Sequence, residues 1–375
     1  MIQKVKFLIL NGRIIIMKYD KTLSAAVAGC LSLDICPGFT CGNISNFADI
    51  IKPSEITHIE GNNIFPGGSV ANTGIALKKF GIEPVLLSKI GDDRLGQILK
   101  EMIDCECGKA SVRLIKSVPT ASTAYSIILA PPGIDRAILQ NPGANDLFLP
   151  DDIDFSALRN CAIFHFGHPS SLRRIYENGG KALENIFINA TEAGMITSLD
   201  LCPVDPLSDA GKQDWKAILS RVLPNVDFFM PSYGELAAAL GMKGSSPSAL
   251  AETSMNLGAK NVLIKLGSRG MYYCCGDYDA ISDIRKRLEN RLGRVYGNLD
   301  TWIGRCGERT AAAAPRIVSG LGAGDVSIAA YIAAMLRGGT LDEALTAAVR
   351  EGALCVSHAS ATGALLPLEE LDSAF

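Results

Sequence analysis

Short apolar runs rich in β-formers alternate with helical patterns along almost the whole of this 375-residue chain, and that alternation most restricts what it can fold into. Residues 25–35, 84–90, 162–167, 196–201, 226–230 and 262–266 read as strands. Helical periodicity fills 70–80, 94–102, 180–193, 215–222, 233–240 and 246–257 between them. Strands separated by helices are joined by crossovers rather than hairpins, so the fold class is α/β, with a mostly parallel sheet covered on both faces. Ligands bind such sheets outside the carboxyl ends of the strands. Asp34, His168, Asp200, Ser232 and Gly267 each follow a strand, so they fall on that rim.

Two regions break the alternation. Residues 39–65 and 111–140 are extended, with Pro and Gly turns and no interleaved helix. They are expected to form a small β-sheet lid over the active face. Residues 276–315 carry a run of charge, an amphipathic stretch at 281–292 and an alanine tract, and read as a solvated surface insertion. Further on, 323–336 is apolar nearly all round, which predicts a buried helix, and the small-residue-rich 341–357 should pack beside it. Residues 18–375 are expected to be one domain. Residues 1–17 read as an N-terminal extension, with Met17 as an alternative start.

Composition excludes several functions. Net charge is −3 and no basic block accompanies the motifs, so nucleic acid is not an expected partner. The apolar stretch 4–17 is interrupted by Asn11, Gly12 and Arg13 and is too short to span a bilayer, so no membrane is expected and the location should be cytoplasmic. The eleven cysteines contain no CxxC. Cys30, Cys161, Cys202 and Cys355 sit in apolar runs and read as buried thiols of a reducing compartment.

The chemistry concentrates in two glycine-rich turns. In Ser319-Gly320-Leu321-Gly322-Ala323-Gly324-Asp325, glycines open a helix whose first N–H groups and dipole can converge on an anion. Asp325 places a carboxylate beside that nest, where it could take a proton from a hydroxyl attacking a phosphate. No GxxxxGK[ST] occurs, and the third glycine of a dinucleotide fingerprint would fall on Ser327, so neither of those nucleotide motifs applies. The second turn, Pro66-Gly67-Gly68-Ser69-Val70-Ala71-Asn72, lets backbone approach a ligand and puts an amide on the first turn of a helix. With Asp34, which can accept from neighbouring hydroxyls, it makes a polyol-binding group.

This pair of motifs, about 250 residues apart, resembles the two signatures of the ribokinase-like (PfkB) family of carbohydrate kinases. Pro231-Ser232-Tyr233-Gly234-Glu235 looks like that family's N-x-x-E, and Lys265-Leu266-Gly267-Ser268-Arg269-Gly270 looks like the glycine turn before its nucleotide pocket. The likeness runs from about Ala25 to Pro367. It implies a Rossmann-like central sheet with a β lid, ATP and Mg²⁺ as cosubstrates, a small sugar as acceptor, and pairing lid to lid as a homodimer. By position, Asp325 would be the base and the amides of Gly322, Ala323 and Gly324 the anion hole. Asp34, Gly67, Gly68 and Asn72 would hold the sugar. Ser232, Lys265, Gly267 and Gly270, with Ser360 and Gly363 of the stretch 358–363, would border the nucleotide. Glu235 would hold the metal through water.

Departures from the pattern carry their own expectations. Ser319 and Gly320 stand where the family commonly has Asp-Thr, which leaves dependence on a monovalent cation open. Ser232 replaces the usual Asn, which should weaken metal handling without abolishing it. Three more residues are candidate acceptor contacts: Arg136, reaching an anionic group or pairing with a lid carboxylate; Asn145; and His168. His165, inside an apolar strand, reads as core. Alternatives within the resemblance are a nucleoside or sugar-phosphate kinase, or a catalytically weak sugar-binding regulator.

Overall fold

The computed structural model describes residues 5–10, 13–18 and 22–368, and the side chains of 22–368 other than Asn62. Strands β1 (Val5–Leu10) and β2 (Arg13–Lys18) pair as an antiparallel hairpin that joins neither of the other sheets. The rest of the chain builds a large sheet and a small one. In chain order the strands are β3 (Ser24–Gly29), β4 (Ser32–Phe39), β5 (Ile59–Gly67), β6 (Glu83–Gly91) and β7 (Ile115–Val118). They continue as β8 (Tyr125–Leu129), β9 (Ala137–Asn141), β10 (Ile163–Gly167), β11 (Ile196–Leu199) and β12 (Phe228–Phe229). Last come β13 (Asn261–Lys265), β14 (Met271–Cys274) and β15 (Cys306–Arg309).

The large sheet runs β15-β14-β13-β12-β11-β10-β3-β6-β7, parallel from β7 through β13 and antiparallel only where β14 and β15 are added. Side chains alternate faces along each strand. In β3, Ala25 and Val27 enter one core and Ala26 and Ala28 the other. Helices Gly68–Lys79, Tyr278–Leu292, Ala323–Leu336 and Leu341–Cys355 fill the first core, and Lys181–Glu192, Trp215–Val222, Tyr233–Ala239 and Pro247–Asn256 the second. From β3 the chain turns one way through β6 and β7, then the other way through β10 to β13. A topological switch point therefore lies between β3 and β10, where such sheets hold their ligands.

The small sheet, β5-β4-β8-β9, is the lid, and its make-up differs from the expectation in two places. The single strand expected over 25–35 is two: the chain leaves the large sheet at Gly29 and enters the lid at Ser32. Residues 111–140 also divide. Lys109–Val112 is helical, β7 joins the edge of the large sheet, and only β8 and β9 belong to the lid. A continuous apolar run does not report the change of sheet, because both strands bury it.

The stretch 276–315 is not a solvated insertion. Ile281, Ile284, Leu288, Leu292, Leu299 and Trp302 all enter the first core, and β15 pairs with β14. Trp302 stacks edge-on against Tyr331 of the Ala323–Leu336 helix, with ring centroids 5.3 Å apart. Its charges are partly internal: Arg287 donates to both oxygens of buried Asp227, at 2.8 and 2.6 Å. Against its burial, Asp227 is held below the ordinary carboxylate range by Arg287 and Lys260. The charge run thus folds inward because its partners are there to meet it.

Cys30, Cys161, Cys202 and Cys355 are buried free thiols as expected, and so are Cys107 and Cys275. Cys274 and Cys306, cross-strand partners on β14 and β15, form a disulfide, which the sequence reading did not anticipate. Among the described residues no helix is long and apolar enough to cross a membrane.

Candidate active site

Asp325 lies on the first turn of the Ala323–Leu336 helix and is 5% exposed. Gly322 is the N-cap, at φ 71°, a left-handed conformation that glycine adopts without a Cβ clash. A Cβ there would also come within 2.4 Å of the Ala361 Cβ. The first N–H groups of this helix have no intrahelical acceptor, and the neighbouring Gly324 presents no side chain to cover them. One Asp325 oxygen accepts a 3.0 Å hydrogen bond from the Asn72 amide, joining the two glycine motifs across 253 residues. The other has no hydrogen-bond partner among the described residues, and His168 Nε2 stands 3.6 Å from it. His168 itself sits at φ 60°, a backbone state that a non-glycine residue adopts at some strain, which holds its ring at the end of β10.

Asp34 forms a second buried carboxylate at the start of the lid. Ser32 Oγ donates to it at 3.1 Å, and Ser126 lies beside it in register on β8. Burial pushes Asp34 up to about 6, opposed by the Ser126 and Ser32 hydroxyls. Gly67 is required here, because a Cβ would fall 2.1 Å from an Asp34 oxygen. Gly68, at φ 78°, lets the chain turn close over the Cys30 carbonyl, which accepts from Val70 N at 3.0 Å.

The ends of β11, β12 and β13 supply the opposite wall. Lys265 Nζ donates to both oxygens of Asp200 at 2.7 Å. A Cβ on Gly324 would lie 3.1 Å from that ammonium, so Lys265 reaches the opening of the Ala323–Leu336 helix. Burial lowers Lys265 and the charges of Asp200 and Glu235 raise it, with a net rise, so it keeps its proton. Burial pushes Asp200 up to about 7, with the Lys265 ammonium the main opposing influence. Ser232 and Glu235 form a reciprocal capping box: Ser232 N donates to Glu235 Oε2 at 2.9 Å, and Ser232 Oγ caps Glu235 N. The serine thus starts the Tyr233–Ala239 helix, and the second Glu235 oxygen makes no protein hydrogen bond among the described residues.

Gly267 and Gly270 shape the turn after β13, at φ 61° and 97°. Gly363 and Ser360 pack around His358, in a loop that touches Gly322 through Ala361. Asn145 is buried and its amide is used on the Leu31 backbone, donating to the carbonyl at 3.1 Å and accepting from the N–H at 3.3 Å. It therefore holds the crossing from β3 into the lid. Arg136 is exposed on the lid beside Gly320, and no lid carboxylate pairs with its guanidinium among the described residues. His165 is a core residue: buried, bonded to Ser198 Oγ at 2.8 Å, and pushed down to about 3 by burial.

Sequence reasoning placed Asp200 on the rim but missed its pairing with Lys265. The signal was available in the two strand ends, one acidic and one basic. His168, Asp200 and Asp325 bring ligand atoms within 4.8 Å of one another, yet Lys265 already occupies both Asp200 oxygens, so this cluster is a charge network rather than a metal cage. Glu235 keeps one carboxylate oxygen without a protein hydrogen bond among the described residues, and its charge is close enough to raise Lys265; such an oxygen could accept from the water shell of a divalent cation.

Comparison with known proteins agrees with this geometry. The pfkB family carbohydrate kinase model matches residues 38–286 and 297–367. Among curated relatives, a probable fructokinase-2 of Arabidopsis thaliana is 28% identical over 57% of this chain and 63% of its own length. A deoxyribokinase of Salmonella typhi is 25% identical over 63% of this chain and 74% of its own length. The chain thus spans just under two thirds of the Arabidopsis relative. Among solved structures, Arabidopsis thaliana ribokinase complexed with ribose and ATP superposes with a TM-score of 0.67 at 20% identity, covering 94% of this chain and 98% of that one. A putative ribokinase II from E. coli in complex with ATP and Mg²⁺ gives 0.68 at 20% identity, with the same coverage. These neighbours share the ribokinase-like fold, and the family match over most of the chain's length identifies the protein as a member of the pfkB family of carbohydrate kinases.

Proposed function

We propose that this protein transfers the γ-phosphoryl group of ATP to a hydroxyl of a small carbohydrate. The observation that carries the reading is the state of Asp325: a buried carboxylate at a glycine-opened helix start, one oxygen fixed by Asn72 and the other without a hydrogen bond among the described residues. A base beside an anion nest suits a hydroxyl that loses its proton as it attacks a phosphate. Asp34, Ser32 and Ser126 line the acceptor side with groups that bind hydroxyls. Asp325 would accept the hydroxyl proton. The N–H groups of Gly322, Ala323 and Gly324 would meet the charge developing on the phosphoryl oxygens, a contribution of several kcal/mol in comparable sites.

Glu235 would hold Mg²⁺ through water, and the bound cation would neutralise phosphate charge. The turn Gly267–Gly270 and the loop holding Ser360 and Gly363 would border the nucleotide base. Ser319 Oγ accepts from Leu321 N at 3.2 Å and offers no carboxylate, so turnover should not depend on potassium. Exposed Ile59, Ile138 and Leu139 on the lid, 49–56% accessible, support a homodimer formed through that sheet.

The test is ADP formation from Mg-ATP with a panel of sugars, sugar acids, sugar phosphates and nucleosides, using wild type and Asp325→Asn. The expected result is acceptor-dependent turnover that falls at least about 1000-fold in the variant. Turnover that survives Asp325→Asn would refute the mechanism. Thermal stabilisation by a sugar without turnover would point to a binding protein instead.

A further inference from the structure

The position of Lys265 is electrostatically costly as it stands. A helix N-terminus carries roughly half a positive charge and favours anions, while cations belong at the other end. Yet the Lys265 ammonium is buried against Gly324, the second residue of the Ala323–Leu336 helix. Asp200 offsets part of this cost, and both its oxygens are taken in doing so. Asp200 Oδ1 also accepts from Leu201 N at 2.8 Å, which locks its orientation. An ammonium has three N–H donors. Two go to Asp200, and among the described residues the third has no acceptor. The backbone gives the lysine little freedom: its own N–H is fixed to Pro231 O at 2.9 Å, and it bridges Ser232 across β12 and β13.

We propose that Lys265 is a catalytic residue for phosphoryl transfer, its free N–H donating to a non-bridging oxygen of the phosphoryl group in transit, with Asp200 as its positioning residue. The inference rests on the kinase reading of the site and assigns a role within it. In the step, the acceptor oxygen forms a bond to the γ-phosphorus as the bond to the leaving ADP oxygen breaks, and that oxygen keeps the electron pair. The hydroxyl proton goes to Asp325. Lys265 keeps its proton throughout and contributes a charge-assisted hydrogen bond that strengthens as negative charge spreads over the phosphoryl oxygens. Being held in place before the substrate arrives, the ammonium needs no reorganisation at the moment of reaction. Asp200 touches no substrate: it keeps the lysine charged and fixes its direction.

A purely structural role, in which Lys265 serves only to neutralise buried Asp200, predicts something different. The discriminating set is Lys265→Met, Lys265→Arg, Asp200→Asn and the double variant Asp200→Asn/Lys265→Met, each checked for folding by circular dichroism. Turnover is measured with Mg-ATP and the best acceptor from the panel. The expected kcat loss for Lys265→Met is about 100- to 1000-fold with the acceptor KM changed less than about threefold. Lys265→Arg should recover part of it, and Asp200→Asn should lose less than Lys265→Met. The double variant removes both buried charges, so it folds even where Lys265→Met does not. Its kcat should stay as low as that of the single lysine variant. Recovery of the double variant to within about tenfold of wild type would overturn the proposal, leaving Lys265 a mere counter-ion. An unchanged kcat in Lys265→Met would overturn it too. A wild type without turnover on any acceptor would instead defeat the kinase reading, and this assignment with it.

Discussion

Glu351→Gln should stabilise this protein at and above neutral pH and leave it unchanged in acid. Glu351 lies in the Leu341–Cys355 helix, which packs against the Ala323–Leu336 helix, and its side chain is fully buried. Neither carboxylate oxygen reaches a hydrogen-bond partner among the described residues. Burial pushes the carboxyl up from 4.5 to about 8, with the Leu366 backbone opposing it. The folded protein therefore keeps this proton until about pH 8, whereas the unfolded chain releases it near 4.5. Between those values the unfolded state binds fewer protons, so stability falls as pH rises, by about 1.4 kcal/mol per unit. The accumulated loss is roughly 3 kcal/mol at pH 7 and levels off at no more than about 5 kcal/mol above pH 8.

A glutamine amide has no proton to lose and removes this slope. With an unfolding entropy of roughly 0.8 kcal/mol per kelvin for a chain of this length, the variant should melt about 4 °C above wild type at pH 7. Calorimetry across the pH range should show the two curves meeting near pH 4.5 and separating steadily above it. Curves offset by a constant amount, or a wild type that is the more stable at alkaline pH, would show that the ionised carboxylate has a partner and would refute the reasoning.

Arg287→Met should cost about 3–5 kcal/mol in urea denaturation, because it leaves Asp227 buried with only Lys260 and Thr197 as partners. Gly67→Ala would drive a methyl against the Asp34 carboxylate, so the acceptor KM should rise at least about tenfold with a smaller change in the KM for ATP, read from steady-state kinetics. Ile138→Glu should shift a lid-to-lid dimer toward monomer in sedimentation analysis, and an unchanged mass would exclude that face as the interface.

Much of this was legible in the sequence. The parallel sheet was readable because apolar period and turn chemistry are local properties, and 84–90, 162–167 and 262–266 carry them unmixed. Both glycine turns could be located because a left-handed φ at Gly68 and Gly322 restricts the residue type directly. Buried charge was harder to read. The run at 276–315 has the charge of a solvated surface, and it turns inward through its apolar face, Ile281, Ile284, Leu288 and Leu292, and through Asp227 meeting Arg287. The change of sheet between Gly29 and Ser32 left no mark in hydrophobicity, since both strands are covered.

What the sequence determined by itself was therefore the class of fold, the two turns that open onto the site, and the kind of chemistry that Asp325 beside an amide nest can perform. The tertiary structure alone decided which groups meet. Asn72 comes to Asp325, Lys265 to Asp200, and the Asp34 carboxylate to the space that Gly67 leaves empty. Each of these contacts joins residues whose closeness follows from sheet order and crossover geometry, and pairing of that kind depends on the whole chain's register rather than on any local pattern.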